Sequence, residues 1–317
     1  MNLLFELSGE NQALSIAEIG CVGTVCATGN GIAIARVEQP EKTARLAGTH
    51  VVSKLLGECD GTKEALEDLL KSLQLQAPKP FCARVNRIHP AAVNAASNEL
   101  ERMMGSLIKG EVSLKNPGCI YRAVFTAGKC YLGEVLQIID RGAYAARSPQ
   151  KRAYFHPGVM MPLMAREIIN LTRVEPGETL LDPFCGTGGM LMECAEMGIA
   201  AVGSDFNEEM LAGCRMNNPN GLILRADAAH MPYPDASFDA VAADLPYGQS
   251  TIISAESLDT LYNESLAEIR RVLKPGRRAV IVTHKDIRDI AARYFTIADY
   301  IEQRVHKSLT RRILVLI

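Results

Sequence analysis

Thr179-Leu180-Leu181-Asp182-Pro183-Phe184-Cys185-Gly186-Thr187-Gly188-Gly189 passes from an apolar triplet through an acid into a glycine-rich loop, and the helical pattern Met190 to Met197 follows it. A strand that turns through glycines into a helix opens a βα unit. The rhythm repeats downstream. Ala200-Ala201-Val202-Gly203-Ser204 reads as a second strand ending at Asp205, Leu222 to Leu224 as a third followed by Ala226-Asp227, and Phe238 to Ala243 as a fourth ending at Asp244. Leu261 to Leu273 reads as a helix stopped at Lys274-Pro275-Gly276, with further strands at Arg278 to Thr283 and Ile313 to Ile317. This alternation predicts an α/β fold, with a mostly parallel Rossmann-like sheet over residues 173–317.

Ligands of open α/β sheets bind beyond the carboxyl ends of the strands, which is where Asp182, Asp205, Asp227 and Asp244 stand. Gly186, Gly188 and Gly189 remove side chains where the first strand turns, so backbone can approach a ligand closely. Asp205 lies 19 residues after Gly186, the interval of an acid that takes a ribose diol. A cofactor containing adenosine is implied. No Gly-Lys-Ser/Thr follows the loop and the pattern is not G-x-G-x-x-G, which argues against a nucleoside triphosphate and a dinucleotide. Two plainer readings stay open: the glycines as a tight strand-to-helix turn, and Asp227 as a helix N-cap instead of an adenine contact.

Asp244-Leu245-Pro246-Tyr247-Gly248 sets an acid, a proline and an aromatic directly after an apolar strand. Methylating an exocyclic amine requires that chemistry. The nitrogen lone pair is delocalised into the base ring, so both N–H bonds must be held while the nitrogen becomes tetrahedral. A carboxylate from Asp244 and a main-chain carbonyl from Leu245 would accept those two hydrogens. Pro246 would fix the loop, and Tyr247 would offer a face for stacking.

Outward from this core, 317 residues suit two domains. Composition is that of an ordinary globular protein, 48% hydrophobic and 22% charged. No apolar run reaches the ~20 residues that span a bilayer, and Met1 to Glu6 meets acid too early for a secretory segment, so a cytoplasmic protein without a membrane partner is expected. Nine cysteines form no C-x-x-C pair, so reduced, mainly buried thiols and no metal site are expected. Net charge is +1 over residues 1–150 and −3 over residues 151–317, which gives no bulk argument for nucleic acid. Two local clusters remain: Arg141, Arg147, Lys151 and Arg152, then Arg304, His306, Lys307, Arg311 and Arg312. Each reads equally well as a solvated surface.

The N-terminal stretch is α+β. Leu3 to Leu7, Gly31 to Val37 and Phe81 to Ile88 read as strands, Ala13 to Val22 and Ala91 to Ile108 as helices, and Tyr121 to Phe125 with Tyr131 to Ile139 as a hairpin turned at Ala127-Gly128. Thr62 to Leu73 reads as a helix N-capped by Thr62 without a full capping box, since Ala65 stands where Glu or Gln would complete it. Asp140 to Pro157, with Gly142, Pro149 and Pro157, reads as an ordered connection. The expected organisation is an N-terminal region 1–143, a linker and connecting helix 144–172, and the Rossmann-like domain 173–317.

Asp182 to Gly188 together with Asp244 to Tyr247 resembles the class I amino-methyltransferases. Arg152-Ala153-Tyr154-Phe155-His156-Pro157-Gly158 and Arg304-Val305-His306-Lys307-Ser308-Leu309-Thr310-Arg311 are similar to the archaeal tRNA guanine-N2 methyltransferases that modify guanosine 10. Leu245 and Ala153 depart from that pattern, each standing where the family has a proline. The resemblance implies S-adenosyl-L-methionine as cofactor and an N-terminal ferredoxin-like and THUMP region that binds tRNA. It also allows a small zinc-binding activator subunit. Carried onto this chain, His156, Pro157, Asp182, Pro183, Phe184, Cys185, Gly186, Thr187, Gly188, Asp205, Phe206, Asp227 and Ala228 are the expected cofactor residues. Asp244, Leu245, Pro246 and Tyr247 are the expected catalytic ones. The target guanine must leave its stack to reach them, and Arg84, Arg87, Arg122, Arg147, Lys151 and Arg152 are the expected RNA contacts. The same chemistry at tRNA position 6 or on ribosomal RNA is the alternative.

Overall fold

The computed structural model describes residues 1–91, 93–247, 257–306 and 309–317; Gly248, Lys307 and Ser308, named above, lie outside the described residues. The chain divides into two compact units, Met1–Asp140 and Arg141–Ile317. Residues 144–172 therefore lie inside the second unit.

The first unit runs β1 (Asn2–Leu7), α1 (Gln12–Ile19), β2 (Thr24–Gly29), β3 (Ile32–Arg36), β4 (Thr49–Asp60), α2 (Lys63–Leu73), β5 (Phe81–Arg87), α3 (Ser97–Leu107), β6 (Cys119–Thr126) and β7 (Lys129–Ile138). Its strands form one sheet in the order β2-β3-β1-β4-β7-β6-β5, antiparallel except for β5 beside β6. Leu66, Leu70, Leu100 and Met104 of α2 and α3 pack with Phe81, Tyr121 and Phe125 of the sheet. The Thr62 hydroxyl caps α2 by accepting from the Ala65 N–H. The expected helix from Ala91 starts only at Ser97, because Ala96 is extended and the Arg87 guanidinium takes the Ala95 carbonyl. β4, not foreseen, pairs with β1 and β7; two register shifts along β7 break its period-two alternation.

The second unit runs α4 (Gly142–Ala146), α5 (Pro162–Leu171), β8 (Thr179–Asp182), α6 (Gly189–Glu196), β9 (Ala200–Asp205), α7 (Glu208–Asn217), β10 (Leu222–Arg225), β11 (Phe238–Asp244), α8 (Leu258–Val272), β12 (Leu273–Thr283), α9 (Arg288–Ala291), β13 (Ile297–His306) and β14 (Leu309–Leu316). The sheet order is β10-β9-β8-β11-β12-β14-β13. The first five strands are parallel, and β14 pairs antiparallel with both β12 and β13. The strand order reverses beside β8, so the crevice between β8 and β11 is the switch point where such sheets bind ligands. Leu181, Val241, Ala243, Ile281 and Leu314 of the sheet share a core with Leu266 and Ile269 of α8. No helix among the described residues is long and apolar enough to cross a membrane.

The segment ahead of α5 presses on the helices that follow β8 and β9. The Tyr154 ring lies against Gly213 of α7, where a Cβ would collide with it, and Asn217 brackets the Tyr154 backbone on both sides. Glu193 of α6, only 1% exposed, takes the Arg147 guanidinium at 2.7 Å and that of Arg166 at 2.8 Å. Removing this buried carboxylate leaves Arg166 uncompensated and Arg147 with only the exposed Glu196 at 3.3 Å, at a cost of about 3 kcal/mol. Glu193→Ala is therefore expected to lower the stability read from urea unfolding by about that amount; a loss below about 0.5 kcal/mol would show the triad to be dispensable.

Candidate active site

Three adjacent strands deliver their last residue to the same edge: Asp205 from β9, Asp182 from β8 and Asp244 from β11. A cavity of about 370 Å³ opens there. It is walled by His156, Pro157, Pro183, Phe184, Gly186, Thr187, Asp205, Phe206, Asp227, Ala228 and the whole run Asp244 to Tyr247. Every one of these was named from the sequence. Gly158, Val159, Asn207, Met210 and Leu261 also line it and were not. Asn207 carried a local signal, since it caps α7 by accepting from the Glu209 and Met210 N–H groups; Met210 and Leu261 arrive only through the packing of their helices.

Asp182, Cys185 and Gly188 do not line the cavity; they shape its wall from behind. Asp182 is buried and accepts the Phe184 N–H at 3.1 Å, and burial pushes its carboxyl well up from the usual range. The Cys185 thiol turns toward Cys214 of α7, at 4.0 Å, because its own N–H donates to the Ser204 carbonyl of β9. Gly188 has φ +80, and a Cβ there would strike the Asn218 amide and approach Cys214 Sγ to 2.7 Å. The glycine loop is therefore seated on α7 as closely as a residue without a side chain permits.

Asp205 ties this loop down. One carboxylate oxygen accepts the Gly186 N–H and the other the Asn207 N–H, both at 2.9 Å. Burial raises its pKa, and those N–H groups offset part of the rise. Asp227 accepts the Ala229 N–H at 2.9 Å and bridges to His230. It shapes a turn, and no helix follows, so the N-cap reading falls.

Asp244 to Tyr247, at the end of β11 and just beyond it, are each fixed. Asp244 is enclosed, and burial raises its pKa to about 6 against the counter-pull of Arg311 and the Tyr247 hydroxyl. Leu245 buries its side chain in the core, so the cavity meets its main chain, whose N–H donates to the Val282 carbonyl at 2.8 Å. The Tyr262 hydroxyl of α8 donates to the Pro246 carbonyl at 2.5 Å. The Tyr247 hydroxyl donates to Asp244 at 3.0 Å, and its ring tilts against His284 with centroids 4.9 Å apart. Arg311 reaches this cluster from β14, a role its place in a C-terminal basic run did not reveal.

The expected RNA contacts divide. Arg122 is turned inward, its guanidinium paired with Glu6 of β1, which is 2% exposed. Arg147 is held by Glu193, and Arg152 is half-buried with its Nε donating to the Arg147 carbonyl. These three guanidinium groups, expected as RNA contacts, each have a hydrogen-bond partner within their own unit. Arg87 and Lys151 are exposed, and Arg84 is half-buried within 4.0 Å of Glu101.

A Rossmann-like sheet with a glycine loop after its first strand and an acid after its second frames a site for an adenosine-bearing cofactor, and a family match makes it that of a class I methyltransferase. The sequence profile of the RMKL-like methyltransferase domain family matches residues 149–313, and the chain belongs to that family. It is 30% identical, over its full length and 99% of the relative, to a tRNA (guanine(10)-N2)-dimethyltransferase of Methanothermobacter thermautotrophicus. It is also 30% identical, over 98% of its length and 96% of the relative, to the enzyme so named from Pyrococcus abyssi. The crystal structure of TrmN from Thermus thermophilus superposes over the whole chain and 99% of that protein with a TM-score of 0.53 at 22% identity, which extends the likeness of fold to both units.

S-adenosyl-L-methionine is the cofactor of this class, and the site fits it. Its ammonium and sulfonium are cations and its ribose carries a diol, against which the cavity sets Asp205 and Asp227. The close seat of Gly188 makes the fit sensitive to one methyl group. Gly188→Ala is expected to weaken cofactor binding at least ~10-fold by calorimetry, about 1.4 kcal/mol; unchanged affinity in a folded variant would mean that the loop does not shape the cofactor site.

Proposed function

We propose that the chain methylates the N2 amine of guanosine 10 in tRNA. The observation that carries this is the shared cavity, into which both the glycine loop and the run Asp244 to Tyr247 open. The two full-length relatives named for guanine(10)-N2 dimethylation support the substrate.

When bound, S-adenosyl-L-methionine supplies an electrophilic methyl on a positive sulfur. The chain's part is to make the amine a nucleophile. The Asp244 carboxylate and the Leu245 carbonyl each accept one N–H, drawing the nitrogen out of conjugation toward a tetrahedral shape. On accepting the methyl the nitrogen would become cationic, and the Asp244 carboxylate would take the proton it sheds. Tyr247 and Pro246 hold the base in line, and much of the rate comes from that alignment. Met1–Asp140 is the proposed THUMP-containing tRNA-binding unit, with Arg84 and Arg87 as phosphate contacts, and Lys151 of the second unit is a further one. We place the reaction in the cytoplasm with its tRNA substrate. The edge strand β10, with Leu222 and Leu224 exposed, suits strand addition by a small zinc-binding activator.

Unmodified tRNA, labelled cofactor and nuclease mapping test the proposal. Label at guanosine 10 is expected; label at position 6 moves the site, and label on adenine or protein refutes the substrate. Asp244→Ala should lower turnover by roughly 10³-fold while cofactor affinity stays within about threefold. Because burial raises the Asp244 pKa to about 6, protonation removes the acceptor and wild-type turnover should fall as pH drops through about 6. A flat profile from pH 5 to 8 would argue against an ionised Asp244.

A further inference from the structure

We propose that Arg311 is a positioning residue for methyl transfer, holding the Asp244 carboxylate as an amine acceptor through the Tyr247 hydroxyl. The inference rests on the reading of Asp244 as that acceptor. Its ground is a chain of three groups from separate elements: Arg311 Nε on β14 lies 3.4 Å from the Tyr247 oxygen, and that hydroxyl lies 3.0 Å from Asp244 Oδ1.

An arginine only donates. Its N–H therefore occupies a lone pair of the tyrosine oxygen, and the single hydroxyl hydrogen is left to point at Asp244. A carboxylate receiving that hydrogen on Oδ1 keeps Oδ2 for the substrate amine. The second arm of the guanidinium, Nη1, contacts Met164 Sδ of α5 at 3.4 Å, which restrains it from swinging into solvent. The topology explains the placement: β14 is inserted antiparallel beside β12, and this brings a cation from the end of the chain to the carboxyl edge of β11.

Among the described residues the titratable groups around Asp244 are Asp182 at the end of β8, Tyr247, Tyr262 of α8 and Arg311, with His284 after β12 stacked on Tyr247. Burial pushes the Asp182 carboxyl well up, toward its neutral form, and Arg311 is the cation whose field favours ionised Asp244. A nearby opposite charge lowers a carboxyl pKa, so loss of Arg311 should raise that of Asp244 and enlarge its protonated fraction at neutral pH.

The test compares wild type with Arg311→Met, which removes charge and donor, and Arg311→Lys, which keeps the charge. Enzyme labelled with carbon-13 at the aspartate carboxyl gives the Asp244 titration directly, identified by its loss in Asp244→Asn; single-turnover methylation of tRNA is followed from pH 5 to 8. In Arg311→Met the titration and the acid limb of the rate should both rise by about one pH unit. The rate at pH 6.5 should fall several-fold, with tRNA affinity changed less than about twofold; Arg311→Lys should recover most of the wild-type profile. An unmoved titration and acid limb would overturn the proposal, as would a loss confined to tRNA affinity, which would make Arg311 an RNA contact. If wild type methylates no guanine while the titration still shifts, the substrate reading fails and the link from Arg311 to Asp244 stands.

Discussion

Carboxylates held out of water at the ends of three neighbouring strands are the constraint around which the second unit is built. Burial raises the pKa of Asp182, Asp205 and Asp244. A carboxyl whose folded pKa lies above its unfolded value of about 3.9 favours folding below that value, and the benefit disappears as pH climbs through the folded pKa. At neutral pH the site without ligand thus carries an electrostatic load. The loads are met locally by the Phe184, Gly186 and Asn207 N–H groups and the Tyr247 hydroxyl. A cationic ligand relieves what remains, and the same imbalance that weakens the fold favours the cofactor.

Rigidity behind the cavity follows from the same need. A carboxylate and a carbonyl can hold two amine hydrogens only if neither moves by much. Leu245 is tied to β12, Pro246 to α8 and Tyr247 to Asp244, so the loop after β11 takes its shape from three directions. Across the cavity, Tyr154 on Gly213 and Glu193 between Arg147 and Arg166 fasten α6 and α7 beneath the glycine loop. The basic motif near residue 150 acts there as a clamp.

What could be read in the sequence was what local backbone geometry decides. Glycines at a strand-to-helix turn and acids at strand ends announce the sheet edge and pick out Gly186, Asp205, Asp227 and the run from Asp244, while the walls made by His156, Pro157, Pro183, Phe184, Thr187, Phe206 and Ala228 were expected only through the family resemblance. Elements without a clean period were hidden: β4, whose bulges reset its alternation, and β13, an edge strand that keeps Asp299, Glu302 and Arg304 along its length. α7 escaped notice because Asn207 caps a helix of weak apolar patterning. The partners of the arginines were hidden for a different reason. Charge does not name its partner, and Glu6 lies 116 residues from Arg122 while Glu193 lies 46 from Arg147. Arg311 was visible as a basic residue and invisible as a neighbour of Tyr247, since only strand order brings it there.

The loop after β11 reads very little of its substrate. A carboxylate and a carbonyl recognise an NH2 group, and guanine, adenine and cytosine each carry one. Tyr247 adds a ring face that any base can use. The chemistry of Asp244 to Tyr247 thus fixes the kind of nitrogen, and the choice of RNA and of nucleotide must come from elsewhere. The first unit is where that choice has room to reside: it has its own sheet and core, it supplies none of the cavity's walls, and it displays Arg87 at its surface. A site whose chemistry is indifferent to the base can serve different nucleic acids on the same fold, since function resides in the site and its attachments and not in the sheet that carries it.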